Sequence, residues 1–290
     1  MSRLFAVLLL FASPAWATPP RVVTDIAPVH SLVATVMGDL GTPELLLPPD
    51  VDPHHFQLRP SQARLLTDAD LLIWMGPDLT AWMERISQNL SSGAQLQLLT
   101  LETLASRIED GPTDSHGHGT LDPHAWLDPM NALAFVAAIS AALSAIDPDN
   151  AGIYAANASD AVSSINALSD AVQARLAPAR GAVLIPYHDA YRYFLSRYGL
   201  QAAGSIADHD AAQPSAARLR DIQAILASAA LGCIFTEPGR NTDLVTGLTG
   251  NARIKIRTLD PIGATLDPGP GLYPTLITNM ANTIAACAIP

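Results

Sequence analysis

The stretch from Asp147 to Leu176 constrains the fold more than any other segment. Asp147-Pro148 reads as a cap and first turn, and Val162, Ile165, Leu168, Val172 and Leu176 recur at helical spacing. No glycine lies between Ile153 and Leu176, and no proline intervenes before Pro178. At ~1.5 Å per residue a helix of this length reaches about 45 Å, longer than one small lobe is wide. It is expected to run along the molecule and join two halves; the alternative is two shorter helices broken near Asn157.

Both flanks alternate short apolar runs with amphipathic stretches, the pattern of parallel sheets covered by helices. Before the long helix, strands are expected at Val22-Val23, Glu44 to Leu47, Leu71 to Trp74 and Leu96 to Leu99. Helices are expected from Pro28 to Met37, from a Ser61 cap and around Trp82. After it, strands are expected at Ala182–Ile185, Gln201–Ile206, Cys233–Phe235 and Ile254–Thr258, with helices at Ala190–Tyr198, Ser215–Ala229, Thr242–Leu248 and Tyr273–Ala286. The predicted fold is α/β: two parallel-sheet lobes, 18–146 and 179–290, joined by one long rigid helix, 147–178.

Arg3, the apolar run Leu4 to Ala12 and Ala15-Trp16-Ala17 make residues 1–17 an expected signal peptide. No later stretch is expected to cross a membrane, and no cysteine near the cleavage site offers a lipid anchor. A periplasmic, unanchored monomer is the expected product. The formal charge of −11, with Lys255 the one lysine, disfavours nucleic-acid binding. Export bears on Cys233 and Cys287: in an oxidising compartment an isolated pair reads as a disulfide, with two buried thiols as the alternative.

The sequence has neither a glycine-rich phosphate loop nor a Gly-x-Ser-x-Gly elbow. Three of its eight histidines fall where strands end: His54 after the second strand, His124 before the helix that Asp128-Pro129 starts, and His188 after Ile185. Ligands of open α/β sheets bind beyond the carboxyl ends of strands, so the three rings can meet between the lobes. Three neutral imidazoles with an open fourth position suit Zn²⁺. Each histidine alone is a weak signal, and their spacing matches no local zinc motif. A three-histidine zinc site also describes a hydrolase, for which Glu237 or Asp260 could serve as base.

Pro53-His54-His55-Phe56-Gln57-Leu58-Arg59-Pro60-Ser61, His124-Ala125-Trp126-Leu127-Asp128-Pro129 and Tyr187-His188-Asp189-Ala190-Tyr191-Arg192-Tyr193-Phe194 resemble the zinc-specific solute-binding proteins of bacterial ABC importers. Thr236-Glu237-Pro238 and Leu259-Asp260-Pro261-Ile262-Gly263 match that family's C-terminal landmarks. The resemblance implies zinc held between two lobes by His54, His124 and His188, a Cys233–Cys287 disulfide, and delivery to an inner-membrane ABC permease without turnover. Manganese-specific relatives typically have a carboxylate where His188 stands. Pro53 stands where some zinc members carry a glutamate, so the fourth position falls to water or Asp260; water is the expected ligand, with Asp260 hydrogen-bonded to it. The His-rich loop of the family shrinks here to Asp114–Gly119, and His116 and His118 are expected to be dispensable. His30 is expected on a solvated helix face, His55 turned away from His54, and His209 in a polar loop. An adhesin is the third reading, against which the missing anchor cysteine counts.

Overall fold

Two parallel sheets with buried inner strands and more exposed outer ones build the fold. The first joins β1 (Val22–Thr24), β2 (Glu44–Leu45), β3 (Leu71–Trp74) and β4 (Ala94–Gln97) in the order β2-β1-β3-β4. The second joins β5 (Val183–Ile185), β6 (Gly232–Thr236) and β7 (Ile254–Thr258) in the order β5-β6-β7. β3 and β6 are buried at every residue, as continuous apolar runs at the centre of helix-covered sheets require. The computed structural model describes residues 19–91, 93–105, 121–207, 214–240, 242–249 and 254–288. The expected leader, His116, His118 and His209 lie outside them.

The helices are α1 (Ala27–Met37), α2 (Pro60–Asp68), α3 (Ala81–Leu90), α4 (Pro129–Ile146), α5 (Ala151–Leu176), α6 (Arg192–Arg197), α7 (Ala216–Ser228), α8 (Thr242–Leu248) and α9 (Leu272–Ala285). Asp128 caps α4 through Met130 N–H and Ser215 caps α7 through Arg218 N–H, as the sequence predicts. α5 is continuous over 26 residues after a short turn, Pro148–Asn150. It packs against α4, α1 and α9. Asn157, where the alternative reading would break the helix, donates from Nδ2 to Val36 O at the end of α1, 3.0 Å away.

Several expectations are corrected. Gln201–Ile206 is not a strand: Ala203 N–H reaches Leu184 O and Ile206 N–H reaches Pro186 O, but Pro186 has no N–H to return and no ladder forms. The strand expected at Leu96–Leu99 runs instead from Ala94 to Gln97, ending where Leu98 and Leu99 enter a buried 3-10 segment. Arg59, not Ser61, precedes the first turn of α2, since Pro60 occupies its first position. His30 is buried, 4% exposed, with Nε2 3.0 Å from Pro43 O. α1 has no solvated face to offer it, being packed against α4, α5 and α9 as well as the strands.

α4 also departs from expectation. Its 18 uncharged residues have a mean hydropathy of 1.7, long and apolar enough to cross a membrane. Here it serves as a core helix: Phe135, Val136, Ile139 and Leu143 are fully buried, and its outward stripe is Ala137, Ala141 and Ala145. Cys233 in β6 and Cys287 just beyond α9 form the expected disulfide, with Cα atoms 5.5 Å apart.

Candidate metal site

Each candidate ligand follows the carboxyl end of a strand: His54 follows β2, His124 β4, His188 β5 and Asp260 β7. Glu237 follows β6 in the same way. They line or border a cleft of about 200 Å³ walled by Asp50 to Pro53, Arg240 and Asp260. The His124 ring centroid lies 5.6 Å from that of His54 and 5.4 Å from that of His188. Three imidazoles holding one Zn²⁺ tetrahedrally at about 2.0–2.1 Å would set their centroids about 5 Å apart. The rings are therefore close to that arrangement without closing it: among the described residues no trio of His, Cys, Asp or Glu meets the distances of a formed metal site.

The Asp-Pro-His triplet occurs twice and builds the same turn twice. Asp52 Oδ1 accepts from His54 N–H at 2.9 Å, and Asp122 Oδ1 accepts from His124 N–H at 3.0 Å. Proline cannot donate, so the carboxylate meets the N–H two residues on. The 50–56 loop is otherwise tied down by Trp82, whose Nε1 donates to Pro53 O at 2.9 Å and whose ring meets Phe56. His55 is turned outward, 60% exposed, with Nδ1 3.6 Å from Asp52 Oδ2, as expected.

Behind His124 and His188 stand buried carboxylates. His124 Nδ1 is 2.8 Å from Asp122 Oδ1, and His188 Nδ1 is 2.8 Å and 3.0 Å from the two oxygens of Glu237. Opposite a carboxylate acceptor Nδ1 is the donor, and the neutral ring then offers the Nε2 lone pair. That is the tautomer and orientation a metal-ligating histidine needs. Arg192 Nε lies 3.1 Å from Asp122 Oδ2 and 3.3 Å from Asp189 Oδ2. Burial pulls the Arg192 guanidinium below its usual range. Burial also pushes the Asp189 carboxyl up to about 6; Asp122 adds to the rise, and His124, His188 and Arg218 oppose it.

Asp260 lines the cleft, but its Oδ1 accepts from Ile262 N–H at 3.1 Å and Gly263 N–H at 2.8 Å. A metal or its water would have to use Oδ2. Glu237, read from sequence as a possible hydrolytic base or a structural residue of the Thr-Glu-Pro turn, is committed to His188 and to the Tyr191 hydroxyl. Sequence reasoning missed Asp122 and the Tyr191-Arg192 pair. The repeated Asp-Pro-His triplet was the available signal for Asp122.

A family described as the periplasmic zinc-uptake complex component A, ZnuA, matches residues 22–287. The high-affinity zinc uptake system protein ZnuA of Paracoccus denitrificans is 42% identical, across 98% of this chain and 96% of its own length. Its counterpart in Brucella abortus (strain 2308) is 33% identical, across 92% and 91%. A crystal structure of ZnuA superposes with a TM-score of 0.81 at 20% identity, over 93% of this chain and all of the other, which establishes the shared fold.

Proposed function

The chain belongs to the zinc-uptake component A family of periplasmic proteins, and from that membership we infer that it captures Zn²⁺ in the periplasm and hands it to the permease of an ABC importer. It acts as a monomer and performs no turnover. Its zinc ligands are His54, His124 and His188, with water in the fourth position and Asp260 hydrogen-bonded to that water through Oδ2. The observation that carries the ligand set is the pairing of Nδ1 with a buried carboxylate at both His124 and His188.

Such a pairing makes the opposite nitrogen a stronger donor and keeps the ring from turning. Both features favour capture of a scarce ion. The non-enzymatic reading rests on the family; of the bases a hydrolase could use, Glu237 is engaged by His188 and Tyr191.

Metal analysis and chelator competition on the purified chain test this reading. One tightly held zinc per chain is expected, with affinity reduced by more than about 100-fold in His124→Ala or His188→Ala, beyond the range for loss of an outer partner. Unchanged affinity in either variant would overturn the ligand set. Zinc-dependent ester, phosphate or peptide hydrolysis that His188→Ala abolishes would overturn the non-enzymatic reading.

A further inference from the structure

The carboxylates behind the two best-held histidines come from distant parts of the chain, yet two consecutive residues grip both. Tyr191 donates its hydroxyl to Glu237 Oε1 at 3.0 Å, and Arg192 holds Asp122 as an ion pair, Nε 3.1 Å from Oδ2, a charge contact rather than an aligned hydrogen bond. The next residue, Tyr193, donates from its hydroxyl to Asp122 O at 3.1 Å. All three follow His188 closely: Tyr191 ends the turn that leads from β5, and Arg192 and Tyr193 open α6. Asp122 is fully buried, Glu237 is 6% exposed and Tyr191 1%.

A buried carboxylate is costly unless a donor or an opposite charge compensates it, and its rotamer follows that partner. The Tyr191 hydroxyl also lies 3.4 Å from Leu259 O, and Arg192 bridges Asp122 to Asp189. Both grips are thus anchored on their far sides. Because Tyr191 and Arg192 are adjacent, a shift of this one turn displaces both carboxylates and, through them, both imidazoles. Arg192 holds its carboxylate across the cleft, since Asp122 belongs to the half of the chain that precedes α5.

We propose that Tyr191 and Arg192 form one positioning device that sets the aim of His188 through Glu237 and of His124 through Asp122, and so tunes zinc affinity from behind the ligands. The proposal rests on the zinc reading of the site. Neither residue is a ligand, so both act only through the carboxylates. Losing either grip lets a carboxylate rotate, and the imidazole it holds loses its fixed orientation while the metal-binding atoms remain.

The test uses the full metal-stripped chain and the variants Tyr191→Phe, Arg192→Gln and Arg192→Lys. Zinc affinity is measured by chelator competition, site geometry by the visible absorption of the Co²⁺-loaded protein, and folding by melting of the metal-free form. Tyr191→Phe and Arg192→Gln are each expected to weaken zinc about tenfold, the lower end of what outer partners of metal-bound histidines command. Their cobalt bands should change, the metal-free melting temperature should hold, and Arg192→Lys should recover part of the affinity. Parental affinity and an unchanged cobalt spectrum in Tyr191→Phe and Arg192→Gln would overturn the proposal. So would weakening that tracks lost stability with the cobalt spectrum intact. If Arg192→Gln does not fold, Tyr191→Phe and Arg192→Lys decide. A parent chain that fails to bind zinc would sink the function itself, a separate outcome visible before any variant is made.

Discussion

Under the proposed ligand set, metal choice turns on single residues. Three imidazoles make a softer site than the oxygen-rich one manganese prefers, so zinc should win the competition. Replacing His188 by Asp swaps a nitrogen donor for oxygen and severs the Glu237 pairing. His188→Asp should therefore erode the zinc-over-manganese preference more than Asp260→Asn, as competition titrations with both metals would show; equal erosion would make Asp260 a direct ligand. His30 supplies a second prediction. Burial lowers its pKa below 6.5, with the Pro43 carbonyl and Glu44 opposing, and its Nδ1 has no hydrogen-bond partner. Above pH 6.5 the ring is neutral in folded and unfolded chains, and stability is full. As pH falls below 6.5 the unfolded chain takes up a proton that the folded ring refuses, so stability is lost until the folded pKa is passed. Urea unfolding at pH 7.5 and 5.5 should show a smaller acid loss in His30→Gln than in the parent; equal losses would remove His30 as the cause.

At the scale of elements, each junction rests on one or two specific contacts. Gly38 ends α1 with φ +55°, and a Cβ there would stand 2.6 Å from Asn157 Nδ2, the group that binds Val36 O. Gly38→Ala should cost about 1–3 kcal/mol in denaturant titrations, the cost typical of a strained backbone conformation. The disulfide fastens the end of α9 to β6 across a sequence separation of 54 residues. Replacing both cysteines by serine should cost about 2–5 kcal/mol. Cys233 precedes Glu237 by four strand positions, about 13 Å at ~3.3 Å each. Zinc affinity should therefore stay within about twofold of the parent while the melting temperature falls; a large affinity loss would tie the bond to the site. α4 teaches the opposite caution, because a run apolar enough for a membrane is here a core helix whose outward face is alanine.

The whole molecule is stiffer than two lobes on a hinge. One continuous core runs from Val22 and Leu71 of the first sheet through Phe135 and Tyr154 to Leu184 and Tyr273 of the second half. Bonds across the junction reinforce it. Arg197 grips Asp128 through two contacts of 2.7 Å, Trp126 Nε1 donates to Pro261 O at 2.8 Å, and the Tyr273 hydroxyl donates to Trp126 O at 2.9 Å. Large rotation would break these contacts and open a close-packed interior. Small-angle scattering of metal-free and zinc-loaded protein should therefore give radii of gyration within about 1 Å; a larger contraction would show that the shared core opens. The 50–56 loop carrying His54 is tied to this body through Trp82, which bonds Pro53 O and packs on Phe56.

The sequence by itself determined the two strand–helix halves, the long helix between them, the capped starts of α4 and α7, and the placement of three histidines at strand ends. These are written in periodicity and in neighbours a few residues apart, where the chemistry of capping, alternation and turns operates. Only the tertiary structure decided that His30 is buried, that Gln201–Ile206 stays outside the sheet, and which carboxylate backs which imidazole. His188 meets Glu237 across 49 residues, and Arg192 meets Asp122 from the other side of α5. No local pattern records such pairs, because the packing of the halves, and not the chain's own neighbours, brings them into reach.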